Sequence, residues 1–565
     1  MRSPVFPPDP TEKEGFYPQE VYEEAIRRYP TVADLVSEKA KENGDKTWLT
    51  FEDGRTYSYR QFDVLSDAVA TGLHELGVRA DDRVAIFAFN SPEWLMAYFA
   101  VAKLGAVPVT VNTGFIKDPL VYNLRASRSE YLVVDSRLLK AYLAVEEQLD
   151  EIKGVIVIGK SRFHGKDQPR KRCVFLEDLL NCTPRPEVRT KKHEKDPCAM
   201  ILTSGTTGPS KVVVDSNAQF ISTALFMIDA GGIRHDSVVY VYLPLFHIMA
   251  LDLATVASML ANASMVLVER FSPGTFWQDV KKYGITHFHA VGPILEMLLK
   301  QPPTPLEKDH GPLVAVAYAS KEIWNLARER FNLSITGGYG STEAGIPVSS
   351  PYRTVVSGKN PPGSCGLPGP HVEVKIMDEL GRFLPPGKVG EIVLRPKLPW
   401  ATFLEYYGMP QQTVEAFRGL WFHTGDAGYF DENGYLYFVD RLKDAIRRKG
   451  ENISSYEVEQ VLLKNTRVQE VAVIPAPSEV GEDEVMAVVV PKPGENLSPA
   501  DVVDYCLENM PHFWVPRYVR FVEALPRTPT GRIEKFKLRG EGVTPDTHDM
   551  KNYIRERRKA GAAAS

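Results

Sequence analysis

The sequence predicts an α/β protein with an added β-rich module, the two forming a large N-terminal domain that is followed by a small α+β C-terminal domain. Three observations carry this. A chain of 565 residues is too long for one hydrophobic core. Over most of the first 350 residues, short apolar runs alternate with helical patterns, as in parallel sheets covered by helices. Between Gly363 and Asp440 the texture changes to short strands separated by Gly and Pro turns.

In chain order, residues 83–89 and 107–111 read as strands, with a helix over 93–104 between them. Residues 159–196 are basic and proline-containing, a surface connection with a short helix at 176–180. A second α/β unit begins near 197, with strands at 238–243, 265–268 and 314–318. The most apolar stretch, 238–268, is interrupted by Pro244, His247, Asp252 and Asn262, so it reads as a buried strand then a buried helix rather than a membrane span. Strands at 372–376, 390–394 and 434–439 make the β module. Beyond 443 a helix at 457–463 and a strand at 470–474 mark the C-terminal domain. The resulting plan is an N-terminal domain over 1–442 (subdomains about 30–190, 197–350 and 360–440), a C-terminal domain over 443–540 and a mobile tail over 541–565.

Net charge is −5, which provides no basic field for nucleic acid. Five scattered cysteines form no Cys-x-x-Cys pair, so neither a zinc site nor a disulfide framework is expected, and a cytoplasmic setting fits. The first residues lack the apolar segment of a signal peptide.

The chemistry concentrates in Thr203-Ser-Gly-Thr-Thr-Gly-Pro-Ser-Lys211, after the apolar run Ala199 to Leu202. Glycine lets backbone approach a phosphate closely, hydroxyls and N–H groups donate to its oxygens, and lysine adds a charge. Thr203, Ser204, Gly205, Thr206, Thr207, Gly208 and Lys211 therefore read as a polyphosphate site, with ATP its expected ligand. It is not a P-loop, because Val212 follows the lysine where that motif needs Ser or Thr.

Four further motifs follow in order: Tyr339-Gly-Ser-Thr-Glu343, Trp421-Phe-His-Thr-Gly-Asp426, the run from Asp440 to Ser454, and Pro526-Arg-Thr-Pro-Thr-Gly-Arg-Ile-Glu-Lys535. With the phosphate loop they resemble the adenylate-forming (ANL) superfamily of acyl-CoA synthetases, adenylation domains and luciferase, from about Pro30 to Leu538. The resemblance implies the ANL fold and an acid–thiol ligase using ATP or an acyl-AMP, CoA and Mg²⁺. It implies that Tyr339, flanked by Gly338, Gly340 and Ser341, lies against the adenine; that Thr342 bonds the reacting carboxylate or α-phosphate; and that Glu343 holds magnesium, as a hard oxygen ligand suits. It makes Asp426 and Arg441 the ribose contacts and Lys443 the hinge. Arg448, Lys449, Gly450 and Glu451 become the CoA-binding loop, although a basic surface hairpin is the alternative for the charge run. In Pro244-Leu-Phe-His247, His247 borders the acyl pocket, or is a core histidine; Ala317, Ala319, Gly337, Ala344 and Gly345 would line a roomy apolar pocket.

One departure stands out. The family's last motif carries a lysine that stabilises charge during adenylation, and here Arg532 occupies its place. A planar guanidinium does not substitute for a compact ammonium. The expectation is a ligase that turns a supplied acyl-adenylate and CoA into acyl-CoA and AMP, with adenylation weak or lost. This pattern is similar to the split, thioesterification-only ligases of platensimycin-type diterpenoid antibiotic assembly, in which a separate adenylating ligase supplies the intermediate. The expected substrate is a hydrophobic carboxylic acid or its adenylate, with no nucleic-acid partner and no membrane span. An ordinary two-step synthetase and an enzyme loading a carrier protein are the alternatives.

Overall fold

The computed structural model describes residues 6–163, 168–203, 211–318, 321–441, 445–448, 451–479, 481–526, 533 and 535–564. The chain divides into two units. The first comprises Met1–Thr113, Leu124–Leu202 and Val212–Asp440; the second comprises Gly114–Asn123, Thr203–Lys211 and Arg441–Ser565.

The first unit is built on two large sheets. In the eight-stranded sheet the order is Glu405–Tyr406, Lys211–Ser216, Pro197–Thr203, Val107–Thr110, Arg83–Phe87, Tyr131–Asp135, Gly154–Ile158, Arg172–Phe175. In the seven-stranded sheet it is Ser334–Thr336, Val314–Tyr318, His287–Val291, Val238–Val241, Ser264–Leu267, Thr47–Phe51, Thr56–Ser58. The alternation read from the sequence is thus present, but the two contiguous α/β subdomains at 30–190 and 197–350 are corrected. Strand Thr47–Phe51 joins the second sheet, pairing Leu49 with Met265, and Pro197–Thr203 joins the first, pairing Val109 with Met200. Parallel pairing is non-local, and an apolar run says that a strand exists without saying which strand lies beside it.

Helix Asn217–Gly231 is buried on every side, as its continuous apolar sequence requires. The Ser216 hydroxyl caps it by accepting from the Gln219 N–H at 3.0 Å, and Gly232 ends it at φ 70°. The apolar stretch 238–268 forms strand Val238–Val241, a short helix Ile248–Ala250, a π-helical turn Leu251–Val256, helix Ala257–Leu260 and strand Ser264–Leu267. The β module is a four-stranded sheet, Val372–Met377, Gly390–Pro396, Phe422–Phe430 and Leu436–Arg441, beside a three-stranded one formed by Gly338–Ser341, Gly345–Ser349 and Leu367–Pro368.

In the second unit, hairpin Ala445–Arg448/Glu451–Ser454 precedes helix Ser455–Leu463 and a sheet of Val468–Pro477, Asp483–Pro491, Tyr518–Phe521 and His548–Asp549. The tail expected to be mobile is folded over its described residues. His548 pairs with Val519, and helix Lys551–Ala564 is anchored by the Tyr553 hydroxyl and the Arg557 Nε, which donate to Asp504 at 2.8 and 2.7 Å. Its composition reads as solvated, and the acidic partner lies about fifty positions upstream, out of reach of local pattern. No helix among the described residues is long and apolar enough to cross a membrane.

Candidate active site

The site in the first unit is assembled on the short hairpin Gly338–Ser341/Gly345–Ser349, whose turn is Thr342-Glu343-Ala344. Glycine is required there by close backbone approach. A Cβ on Gly340 would lie 2.1 Å from the Gly345 carbonyl oxygen, and one on Gly337 2.2 Å from that of Ser364. Gly345 itself has φ +61°, the left-handed region, with Thr223 packed against it.

Tyr339 and Asp426, brought together from 87 positions apart, are joined directly: the Tyr339 hydroxyl donates to Asp426 Oδ2 at 2.8 Å. Asp426 is buried on strand Phe422–Phe430, and its N–H donates to the Thr424 hydroxyl at 3.1 Å. An aromatic ring beside a fixed, acceptor-only carboxylate has the chemistry to hold a nucleoside: a face for a base and oxygens for ribose hydroxyls.

Glu343 is fixed at both ends. Its carbonyl accepts from the Phe403 N–H at 3.2 Å, and its Oε1 accepts from the Tyr406 hydroxyl at 3.0 Å. Burial and the Glu343 carboxylate both push the Tyr406 hydroxyl well above its ordinary pKa, so it stays a donor. The Thr342 carbonyl accepts from Gln219 Nε2 at 2.9 Å, tying the turn to the buried helix. An oriented carboxylate fits magnesium, which takes one or two protein oxygens together with substrate phosphates. No group of three or more His, Cys, Asp or Glu among the described residues could hold a metal ion.

His247 precedes helix Ile248–Ala250, half-buried, with its ring 4.6 Å from that of Phe246. Its turn is pinned by Asn90, whose side chain donates to the Leu243 and Val268 carbonyls at 2.9 and 3.2 Å and accepts from the Leu245 N–H at 2.9 Å.

Thr203 ends one strand and Lys211 begins its neighbour in the eight-stranded sheet, so the phosphate loop joins strand to strand, whereas a P-loop joins strand to helix. Ser204, Gly205, Thr206, Thr207 and Gly208 lie outside the described residues, as do Ala319, Lys443, Lys449, Gly450 and Arg532. Ala317 is buried in the core cluster of Trp277 and Trp324, and Ala344 is half-buried against the cluster containing Tyr339. Arg441 ends strand Leu436–Arg441. Arg448 pairs with Glu451 across its hairpin and packs within the second unit. Its Nε lies 2.6 Å from Glu484 and its Nη1 donates to the Phe513 and Val515 carbonyls at 3.2 and 2.8 Å. Arg447 is exposed.

Sequence reasoning missed Tyr406, Gln219 and Asn90. Each acts through a partner 63 to 155 positions away, and none sits in a motif read for chemistry.

Comparison with known proteins identifies the family. The model of the AMP-binding enzyme family matches residues 36–407, and that of the AMP-binding enzyme C-terminal domain matches 457–532. The chain belongs to the AMP-binding enzyme family; it is an enzyme of the acyl-CoA ligase type, with the adenylate-forming fold. It is 31% identical over 506 residues to a crotonobetaine/carnitine–CoA ligase of Salmonella paratyphi A, covering 88% of this chain and 96% of that protein. Among solved structures it is similar to the anthranilate CoA ligase AuaEII in complex with anthranoyl-AMP, with 25% identity, TM-score 0.67 and 94% and 98% of the chains covered. ATP-bound MatB from Rhodopseudomonas palustris gives 26% identity, TM-score 0.65 and coverage of 90% and 98%. The amide bond synthetase McbA from Marinactinospora thermotolerans gives 25%, 0.77, and 89% and 99%.

Proposed function

We propose that this ligase forms an acyl-CoA thioester from an acyl-adenylate and CoA, releasing AMP, and that its ATP-dependent adenylation half-reaction is weak or lost. Arg532 carries the reading, since it stands where the family resemblance implies the adenylation lysine. Losing one preorganised donor costs about 2.7–4 kcal/mol of transition-state stabilisation. Lys535, the nearest lysine after it, supports the reading because it is engaged elsewhere. Its Nζ lies 2.5 Å from Glu459 Oε1 and donates to the Ser455 hydroxyl at 2.9 Å, within the second unit.

Thioester formation makes no demand on that position. The CoA sulfur attacks the acyl carbonyl carbon, the new C–S bond replaces the C–O bond to phosphate, and AMP leaves. Tyr339 and Asp426 hold the adenylate, and Thr342 orients its acyl phosphate. Where adenylation persists, Glu343 would hold a magnesium ion, whose charge would ease the approach of a carboxylate to a phosphate. The setting is the cytoplasm, and a separate adenylating ligase supplies the intermediate. The curated relatives named CoA ligases favour a second reading, an ordinary two-step synthetase that tolerates arginine.

Two assays separate the readings: ATP–pyrophosphate exchange over a panel of carboxylic acids, and thioester formation from preformed acyl-adenylate and CoA. The expected outcome is failure of the first, turnover in the second, and recovery of exchange by Arg532→Lys. Strong exchange by the unmodified protein refutes the loss of adenylation and leaves the ligase standing.

A further inference from the structure

We infer that the acyl pocket of this chain is built for a carboxylic acid bearing a protonated amine, held between the side chains of Asp215 and Asp252. The inference rests on reading this cleft as an acyl-adenylate site and is independent of whether adenylation is retained.

Both carboxyls are fully buried; neither oxygen of Asp252 has a hydrogen-bond partner among the described residues, and the Gln219 amide, which donates to the Thr342 carbonyl, is the side chain that stands beside Asp215. A buried polar group without a partner is costly, and a buried charge more so. Structural carboxylates elsewhere in this unit escape that cost. Asp229, for example, accepts from Lys13, the Tyr17 N–H and the Tyr22 hydroxyl. Neither Asp215 nor Asp252 has a cationic partner of that kind among the described residues, and apolar side chains flank both in sequence. Asp215 follows Val212, Val213 and Val214 in strand Lys211–Ser216, and Asp252 lies between Leu251 and Leu253.

Their placement puts the pair in the acyl site. Asp215 immediately precedes the cap of the buried helix whose Gln219 holds the Thr342 carbonyl, and it is close enough to Glu343 to feel its charge. Asp252 is five residues beyond His247, on the π-helical turn that packs along the same buried helix. Such turns recur at functional sites because they re-aim side chains that a regular helix would space differently. Asp215 and Asp252 also sense each other electrostatically. Asp215 thus stands near the metal-ligand candidate, and Asp252 lies on the turn that follows the pocket-bordering histidine.

Burial above all pushes both pKa values well above the ordinary range, helped by the Glu343 carboxyl at Asp215 and by the Asp215 carboxyl at Asp252. An acid with a plain hydrocarbon body leaves the buried carboxyls without a compensating partner. An ammonium supplies both the positive charge and up to three hydrogens to the facing oxygens. A bare metal ion is disfavoured because no third ligand of metal-binding type stands with the pair among the described residues. The leaving of buried acceptors unpaired by the wrong substrate is a strong basis for discrimination.

The test uses stable sulfamoyl-adenosine mimics of acyl-adenylates, so that binding is read without turnover. One carries trans-4-(aminomethyl)cyclohexanecarbonyl, its match carries trans-4-ethylcyclohexanecarbonyl, and a benzoyl mimic serves as reference. Calorimetry on the full chain is expected to show the amine mimic binding at least about tenfold more tightly than the ethyl mimic, with Asp252→Asn and Asp215→Asn each reducing that preference to about twofold or less. The matched pair on the unmodified protein decides the matter even where a variant fails to fold. Equal or tighter binding of the ethyl mimic, while the benzoyl reference binds, overturns the inference alone. Failure of all three mimics to bind overturns the acyl-adenylate reading and the inference with it.

Discussion

Replacing His371 by phenylalanine should remove a defined part of the acid sensitivity of the first unit. His371 is buried, its ring stacked at 5.4 Å on Tyr22 and lying 5.0 Å from Phe226, with Nδ1 lacking a partner among the described residues. Burial above all, then the charge of Lys397, pushes its pKa down to about 3. The ordinary value is about 6.5, so the folded state refuses a proton that the unfolded chain accepts. The contribution to stability is therefore complete above about pH 6.5 and is lost as pH falls toward 3. At pH 5 the unfolded side chain is favoured by about 2 kcal/mol, against about 0.2 kcal/mol at pH 7. Phenylalanine keeps the aromatic contacts and cannot titrate. Asp215, Asp229 and Asp252, pushed upward by burial, act in the opposite sense, so only the difference between variant and parent isolates the histidine. Urea unfolding at pH 7 and pH 5, followed by tryptophan fluorescence in a Trp514→Phe background, reports on the first unit, which holds all the other tryptophans. Relative to parent, His371→Phe should gain about 2 kcal/mol on going from pH 7 to pH 5. An unchanged gap between the two proteins would refute the assignment of a neutral, acid-labile histidine.

Other substitutions probe the site. Gly340→Ala forces a Cβ to within 2.1 Å of the Gly345 oxygen, and thioester formation from acyl-adenylate should fall by about a hundredfold or more with the far-ultraviolet dichroism unchanged. Tyr406→Phe deletes the 3.0 Å bond to Glu343, worth about 1.5–3 kcal/mol for a charged acceptor. In an Arg532→Lys background, the magnesium concentration for half-maximal pyrophosphate exchange should rise about tenfold or more, and an unaltered metal titration would remove Tyr406 from the positioning of Glu343. Asp252→Leu should raise the ligand-free stability at pH 7 by about 1–3 kcal/mol, because it removes an unpaired buried carboxyl, and Asp215→Leu should raise it by less, because it also strips Gln219 of a partner. The folded pKa of each aspartate is raised, so the stability it provides is complete below about pH 3.8 and is lost as pH rises. The leucine variants should show a correspondingly flatter fall in stability above that pH in urea titrations.

Much of the local structure was legible. The strand at Arg83–Phe87, the helix at Pro92–Lys103 and the module strands at Val372–Met377 and Gly390–Pro396 follow from period and punctuation. Tyr339, Glu343 and Asp426 stood out because their short motifs resemble those of the adenylate-forming family. What stayed hidden was everything decided by pairing at a distance. Nothing near Tyr406 announces that its hydroxyl reaches Glu343, and nothing around Asn90 says that it fastens the turn before His247. Asp252 could be read as an interruption of an apolar run, but its lack of a partner exists only once the helix Asn217–Gly231 is packed against its turn. The basic C-terminal segment misled for the same reason, since Asp504 is visible as its anchor only in three dimensions.

The exchange of strands between the two large sheets bears on how the chain is made. Thr47–Phe51 emerges early from the ribosome, yet its neighbour Ser264–Leu267 is translated about two hundred residues later. At about 5–20 residues per second, that apolar strand waits roughly 10–40 s for its place, an aggregation-prone interval. The other sheet is completed later still, when Glu405–Tyr406 closes its edge. Neither sheet can mature as an autonomous half, and a polypeptide severed between 190 and 197 would leave unfinished edges on both fragments.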